Sequence, residues 1–190
     1  MPDAPAATPA VVGAPPPDAS WYLLPPSTFY DPTRWEVRGG LLFEALNPDK
    51  GTSGINGEIV FPKFFSFNWF GWLPENVTPR FKLGGVFNTG RRTDFAYADA
   101  VWQIDYTQRI FGEAYFGATI HDQGLHYRGL QYTALGCRVL FHAGTNLGYR
   151  FDEHLSFMLT YDHSSTGQGL TGCTPNQSLN QFGGRFGYQF

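Results

Sequence analysis

The stretch LSFMLTYDHSST, residues 155–166, alternates between an apolar and a more polar side chain along most of its length. The residues of its apolar parity are Leu155, Phe157, Leu159 and Tyr161. Because successive side chains of a β-strand point to opposite faces, this period of two predicts a strand with one apolar face. The next residues of the same parity are His163 and Ser165, so the apolar face continues into a base and a hydroxyl.

Seven other segments show the same period of two, which brings the number of predicted strands to eight. They are residues 35–46, 55–61, 80–88, 96–106, 110–121, 138–151 and 180–190. Eight antiparallel strands of about ten residues are enough to close a barrel, and closure removes the exposed edges of a sheet. The pattern therefore predicts an all-β fold, an eight-stranded antiparallel β-barrel.

The composition agrees with a barrel, since 17% of the 190 residues are aromatic, 23 are Gly and only 15% are charged. The chain has no run of about 18 to 20 apolar residues, so we expect no transmembrane helix. A membrane barrel needs no such run, because its strands alternate lipid-facing and interior residues. The formal net charge of -3, and basic clusters no larger than Arg91 and Arg92, argue against a nucleic-acid partner.

The direction in which the charged residues point distinguishes a soluble barrel from a membrane barrel. A soluble barrel turns its charges outward, whereas a small outer-membrane barrel packs a polar interior. Aromatic residues near the strand ends, an aromatic last strand ending at Phe190 and opposite charges on the polar faces favour the membrane version. Those charges are Glu36, Arg38, Glu44, Glu58, Arg80, Lys82, Asp99, Asp105, Glu113, Arg138, Arg150 and Arg185. We therefore predict a transmembrane β-barrel of the bacterial outer membrane, with a soluble lipid-binding barrel as the alternative.

Residues 1–34 form a separate segment, rich in Pro and Ala, that precedes the predicted barrel over residues 35–190. The segment lacks the basic and the continuous apolar regions of a secretory signal, so we expect a flexible lead-in. For an exported protein we expect the signal peptide to be absent from this chain and Met1 to have been added to the mature form.

An even number of strands places both chain termini at one end of the barrel, which by likeness to other outer-membrane barrels is periplasmic. The turns 107–109 and 152–154 then lie at the periplasmic end. The aromatic segment 65–78 lies there too, as an anchor at the membrane interface. The external connections are residues 47–54, 89–93, 122–136 and 166–179.

This topology places His163 and Ser165 at the outer end of the seventh strand. Asn180 opens the eighth strand with the parity of Phe182, so all three side chains point to the lipid-facing side and can meet across neighbouring strands. A serine, a histidine and an amide are the nucleophile, base and orienting group of acyl-transfer catalysis. On an outer wall they suit a substrate that stays in the membrane, such as a lipid with an ester at its headgroup.

The run DHSSTGQGLTGCTPNQSLNQFGGRFGYQF, residues 162–190, resembles the C-terminal signature of the lipid A 3-O-deacylase (acyloxyacyl hydrolase) family of Gram-negative outer-membrane barrels. That signature is roughly His-x-Ser-Asn, a loop with Asn, and a last strand Gly-x-Arg-x-Gly-Tyr-x-Phe. The resemblance implies that His163 is the general base, Ser165 the nucleophile and Asn176 a candidate for the oxyanion hole. INGEIVFPKFF, residues 55–65, also resembles the second strand of the family.

Two positions depart from the family pattern. Thr166 stands where the family commonly has Asn, and Asn180 stands where the best-known form has Glu as the orienting acid. An amide can hold the tautomer of the imidazole, but it stabilises the imidazolium less than a carboxylate does. We therefore expect Asn180 to be the third catalytic residue, with slower chemistry or a further partner.

The remaining histidines and the two cysteines have separate interpretations. No carboxylate or Cys stands at ligand spacing to the other histidines, so we expect no metal site and no cofactor. These histidines are His121, His126, His142 and His154. Cys137 and Cys173 both fall on the external side, where a pair in an exported protein suggests a disulfide, with two buried free thiols as the alternative.

The predicted function is that of a lipid A deacylase, a serine esterase that hydrolyses an ester-linked acyl chain of lipid A, at the 3 position by resemblance. Its substrate is lipopolysaccharide among the lipids of the outer membrane. A non-enzymatic structural or adhesive outer-membrane barrel is the competing hypothesis.

Overall fold

The computed structural model describes residues 27–45, 52–63, 78–90, 92–126, 133–167 and 171–190. Each strand pairs antiparallel with the next, and the last pairs with the first, so the sheet closes into a barrel. The strands are β1 Glu36–Glu44, β2 Ser53–Val60, β3 Arg80–Asn88, β4 Phe95–Asp105, β5 Ile110–His121, β6 Val139–Arg150, β7 Leu155–Ser165 and β8 Leu179–Gln189. The eight predicted strands are confirmed, whereas the predicted aromatic anchor lies, up to residue 77, outside the described residues. Within the described ranges, no helix is long and apolar enough to cross a membrane.

The outer face of the barrel is apolar and its inner face is polar. Large side chains such as Phe87 and Leu159 are exposed on the outside, while Glu58 and Lys82 of the opposite parity are buried. A soluble barrel would have the reverse arrangement, because its exterior meets water. The prediction of a membrane barrel is therefore confirmed, and the soluble alternative is set aside.

The interior of the barrel holds a network of ion pairs. Arg38 donates to Glu58 at 3.2 Å and makes a two-pronged contact with Glu113 at 2.7 and 2.8 Å. Arg185 donates to Asp162 at 2.6 Å. A buried charge is tolerated only when an opposite charge or hydrogen bonds offset the loss of water. The opposite charges of the polar faces therefore neutralise one another inside the barrel, as the alternation predicts.

Arg138 is an exception, and the prediction that it faces the interior is wrong. It lies just before β6, is exposed, and donates to the carbonyl oxygens of His121 at 2.9 Å and Gln123 at 3.4 Å. The ladder between β5 and β6 begins only at Val139. Arg138 therefore lies past the end of the ladder between β5 and β6, and its side chain bonds the backbone at and just after the end of β5.

Residues 27–34 contact the end of the barrel at which β1 begins and β8 ends, which we call the periplasmic end. The ring of Tyr30 lies 5.7 Å from the guanidinium of Arg80 and 5.0 Å from that of Arg150, which are cation–π contacts. Residues 27–34 belong to the segment that the sequence predicts to be flexible, and they are held against the barrel. Residues 1–26 lie outside the described residues, so the proposed division of the chain stays a prediction.

The connections 106–109 and 151–154 lie at the periplasmic end, as predicted. In the second of these, Asp152 Oδ1 accepts hydrogen bonds from the backbone N–H groups of Leu155 at 2.7 Å and His154 at 2.8 Å. These two bonds hold the pKa of the Asp152 carboxyl below its usual value. The carboxylate thereby closes the turn that leads into β7.

The outer end of the barrel is filled by an apolar cluster. Its buried members are Leu42, Val86, Phe95, Tyr97, Leu135, Leu140 and Leu179. Ala134 N donates to Gln177 Oε1 at 2.8 Å, and Gln177 N donates to Ala134 O at 3.1 Å. A disulfide joins Cys137 to Cys173, with Cα atoms 5.6 Å apart. Residues 133–137 therefore fasten the loop before β8 to the mouth of the barrel.

Candidate active site

His163 and Ser165 lie at the outer end of β7, on its lipid-facing side. The neighbours of opposite parity, Asp162 and Ser164, are buried in the interior, so the alternation of the strand turns His163 and Ser165 outward. Both side chains are half-buried. The ladder between β7 and β8 ends at the pair of Ser164 and Leu179, so Ser165 lies just beyond it, at the rim.

Asn180 stands directly opposite His163 in the ladder between β7 and β8. Its amide oxygen Oδ1 lies 2.8 Å from His163 Nδ1. Because an amide oxygen can only accept, Nδ1 is the donor and carries the imidazole proton. Nε2 therefore keeps a lone pair, and Ser165 lies two residues further along the same face. The structure therefore joins His163 to Asn180 and places Ser165 on the same strand face, where its Oγ accepts from Gly167 N.

The side chain of Asn180 is held on several sides and is only 6% exposed. Tyr161 Oη donates to the same amide oxygen at 2.9 Å, and Asn180 Nδ2 donates to Ser178 Oγ at 3.1 Å. The sequence predicts a lipid-facing Asn180, which is right for the face of the strand. The residue is nevertheless buried, because the side chains that it contacts, including His163, enclose it.

The backbone of Asn180 is fixed by Glu44, the last residue of β1, and by Ala45, which follows β1. Glu44 Oε1 accepts a hydrogen bond from Asn180 N at 2.8 Å, and Asn180 O accepts one from Ala45 N at 2.8 Å. Close approach of β1 and β8 requires glycine at position 183, because a Cβ on Gly183 would overlap the carbonyl oxygen of Leu41. Closure of the barrel therefore positions the third residue of the site.

The chain that follows Ser165 links it to the loop before β8. Ser165 Oγ accepts a hydrogen bond from Gly167 N at 3.4 Å. Thr166 N donates to Asn176 Oδ1 at 3.1 Å. This contact uses the oxygen of the Asn176 amide, so Nδ2 is the group through which Asn176 could donate to an oxyanion. Asn176 is thus tied to the residue next to the nucleophile candidate.

Three residues of the site were not predicted from the sequence: Tyr161, Ser178 and Glu44. Tyr161 and Ser178 precede His163 and Asn180 by two residues each, so the period of two could have pointed to them. Glu44 could not be found in this way, since its contact depends on the register between the first and the last strand.

A groove of about 450 Å³ crosses the lipid-facing wall beside the site. Small residues of β5 and β6 lie along it, and larger apolar residues flank them. Cross-strand pairing joins its upper row, which is Trp102, Ala114, Thr145, Tyr161 and Phe182. The remaining outward-facing residues along it are Ile104, Tyr106, Gly112, Leu147 and Leu159. Because Tyr161 also binds Asn180, one end of the groove reaches the site.

Two of the other histidines, His142 and His154, are held by structural partners. His142 Nδ1 lies 2.9 Å from both carboxylate oxygens of Asp99 inside the barrel, and His154 Nδ1 lies 2.8 Å from Gln189 O. In the part of the chain that the structure describes, no group of three or more His, Cys, Asp or Glu residues could hold a metal ion.

Several solved structures share the fold. The outer membrane enzyme PagL is 14% identical to the chain, with a TM-score of 0.62, and the match covers 80% of this chain and 97% of that one. The N-terminal barrel of Pseudomonas aeruginosa OprF is 10% identical with a TM-score of 0.57, over 83% and 98% of the two chains. A de novo designed transmembrane β-barrel is 12% identical with a TM-score of 0.53, over 85% and 98%. Among curated proteins, none matches the chain by sequence.

The apolar exterior, the polar interior and the closed eight-stranded sheet define a class, the outer-membrane β-barrels. Residues 92–189 match the family model described as lipid A 3-O-deacylase (PagL), and the chain belongs to this family. It is therefore a lipid A 3-O-deacylase, an ester hydrolase of the bacterial outer membrane. The predicted family, enzyme class, lipid A substrate and outer-membrane location are confirmed, and the non-enzymatic alternative is less well supported.

Proposed function

We propose that Ser165, His163 and Asn180 are the catalytic residues with which this deacylase hydrolyses its ester, as a serine esterase. The observation that carries the proposal is the 2.8 Å contact between Asn180 Oδ1 and His163 Nδ1. With its proton on Nδ1, His163 keeps a lone pair on Nε2 and can act as a base. Ser165 lies two residues from His163 on the same strand face. All three residues lie within the part of the chain that matches the family.

The reaction follows from this arrangement. His163 Nε2 takes the proton of Ser165 Oγ as that oxygen bonds to the carbonyl carbon of the 3-O-acyl ester. The tetrahedral intermediate then breaks its bond to the sugar oxygen, which receives the proton from His163. In the second half, His163 takes a proton from water, and the resulting hydroxide attacks the acyl-serine. The fatty acid leaves, and Ser165 regains its proton.

Asn180 and Asn176 support the charges that develop in these steps. Asn180 accepts a hydrogen bond from the imidazolium through its amide oxygen. The Nδ2 group of Asn176 donates to the carbonyl oxygen as this becomes negative, which is the role of an oxyanion hole. The bond from Thr166 N to Asn176 Oδ1, 3.1 Å long, supports this role because it keeps the amide beside the nucleophile.

The location of the site supports a lipid substrate that is attacked within the membrane. The ester of a lipid lies where its headgroup meets its acyl chains, and Ser165 lies at the outer rim of an apolar wall. The groove that begins at Tyr161 is lined mainly by apolar residues and offers a place for the acyl chain. With the chain in the groove, the ester carbonyl is presented to Ser165.

The change Ser165→Ala tests the proposal. Removal of 3-O-acyl chains from lipid A, measured by mass spectrometry, should fall to background, since the variant lacks the oxygen that forms the acyl-enzyme. The barrel should still fold, because the lost hydroxyl packs little, and heat-modifiable migration checks this. Ser53→Ala is the matched control, since Ser53 lies at the outer end of β2 and its hydroxyl bonds Thr89 Oγ1 at 2.8 Å, away from the site. Deacylation by Ser165→Ala at the wild-type rate would contradict the proposal.

A further inference from the structure

The third residue of the proposed site is an amide, and an amide, unlike a carboxylate, has two different ends. Only the oxygen end of Asn180 can accept a hydrogen bond from His163 Nδ1. With the amide reversed, its NH2 group would face His163, and the imidazole would carry its proton on Nε2. That nitrogen could then no longer accept the proton of Ser165. Catalysis therefore depends on what fixes the orientation of the amide.

Two hydroxyl groups contact the two ends of the Asn180 amide. Tyr161 Oη donates at 2.9 Å to the same Oδ1 that accepts from His163, and Asn180 Nδ2 donates to Ser178 Oγ at 3.1 Å. A phenol donates well and accepts weakly, because its oxygen lone pair is delocalised into the ring. Tyr161 therefore favours the oxygen end of the amide. Because Asn180 is only 6% exposed, water competes little with these hydrogen bonds.

We propose that Tyr161 is a positioning residue which, together with Ser178, keeps Oδ1 of Asn180 turned toward His163. The inference rests on the proposed function, because it concerns the same site. In this role Tyr161 acts through Asn180, by setting which nitrogen of His163 carries the proton.

Tyr161 also lines the groove. An effect on substrate binding in the groove must therefore be distinguished from an effect on the orientation of the Asn180 amide. The ring of Tyr161 lies 4.7 Å from the ring of Phe182, and both residues line the groove. The change Tyr161→Phe keeps the ring and removes only the hydroxyl. Any loss that it causes through the groove should therefore appear in KM, whereas loss of the amide orientation appears in kcat.

The kinetic test compares Tyr161→Phe in the wild type and in Asn180→Asp. A carboxylate presents an oxygen to His163 in either orientation, so the hydroxyl should matter only when residue 180 is an amide. We expect kcat to fall about tenfold in the wild-type background with little change in KM. In the Asn180→Asp background we expect less than about a threefold change. Tyr149→Phe, on the lipid-facing side of β6, is the matched control and should keep the wild-type kcat.

A second measurement reads the position of the proton without catalysis. The ¹⁵N chemical shifts of the imidazole, assigned with His163→Gln, should show the proton on Nδ1 in the wild type. They should show both tautomers in Tyr161→Phe, and Nδ1 protonation again when Asn180→Asp is added. An unchanged tautomer and kcat in Tyr161→Phe, or an equal loss of kcat in both backgrounds, would overturn the proposal. Deacylation that persists in Ser165→Ala would instead refute the proposed nucleophile, and the ¹⁵N shifts would still report on Tyr161.

Discussion

Replacement of Asn180 by alanine tests the orienting hydrogen bond of the site. The change removes the acceptor of the 2.8 Å bond from His163 and of the 2.9 Å bond from Tyr161. A hydrogen bond to a group that becomes charged contributes about 1.5 to 3 kcal/mol, which corresponds to a fall in kcat of roughly 10- to 150-fold. The backbone bonds to Glu44 and Ala45 remain, since they involve main-chain atoms of residue 180, so the barrel should keep its fold.

The assay for Asn180→Ala is the initial rate of 3-O-deacylation of purified lipid A by folded protein, followed by mass spectrometry at several substrate concentrations. KM should stay near the wild-type value, because Asn180 orients the base and does not bind the acyl chain. Asn180→Asp is the matched comparison, since it keeps an acceptor for His163 and adds a charge that stabilises the imidazolium. A wild-type kcat in Asn180→Ala would refute the reasoning and place the third member of the site elsewhere.

Three further predictions concern the oxyanion, the groove and the disulfide. Asn176→Asp keeps the acceptor for Thr166 N but loses the Nδ2 donor, so kcat should fall about 100-fold or more, as far as in Asn176→Ala; a wild-type kcat would exclude the donor. Ala114→Leu fills the groove, so KM for lipids with long acyl chains should rise about tenfold, while KM for lipids with short chains should change little. An equal change in KM for both chain lengths would show that the acyl chain does not bind in the groove. The pair Cys137 and Cys173 closes a loop with a sequence separation of 36, so double replacement by Ser should lower the free energy of unfolding by about 4 kcal/mol; thiols that titrate in the denatured, unreduced protein would reject the bridge.

The barrel was predictable because a membrane wall with a polar interior imposes a period of two on every strand. His163 and Ser165 follow from the same period, since they continue the apolar parity of their strand, and Asn180 follows from the parity of the next strand. The prediction about Arg138 was wrong for a related reason. Alternation gives the face of a residue, but the end of a strand depends on where its neighbours stop pairing.

Other parts of the site could not be read from the sequence because they depend on residues that are distant along the chain. The bond of Glu44 to the backbone of Asn180 requires the register that closes β1 on β8. Residues 133–137 show no period at all, and the burial of Leu135 depends on the apolar space that five strands leave at the barrel mouth. Local sequence patterns cannot predict such contacts, because the residues that make them lie far apart in the sequence.

Covalent labelling of Ser165 tests the proposed nucleophile most directly. The folded protein is treated in lipid with a lipophilic fluorophosphonate, which reacts with an activated serine, and the modified peptide is identified by mass spectrometry. The mechanism predicts a single label on Ser165 in the wild type, which accumulates in step with the loss of deacylation, and background labelling in His163→Ala, where the base is missing. A label on another residue that tracks the loss of activity, or full deacylation by protein labelled at Ser165, would contradict it.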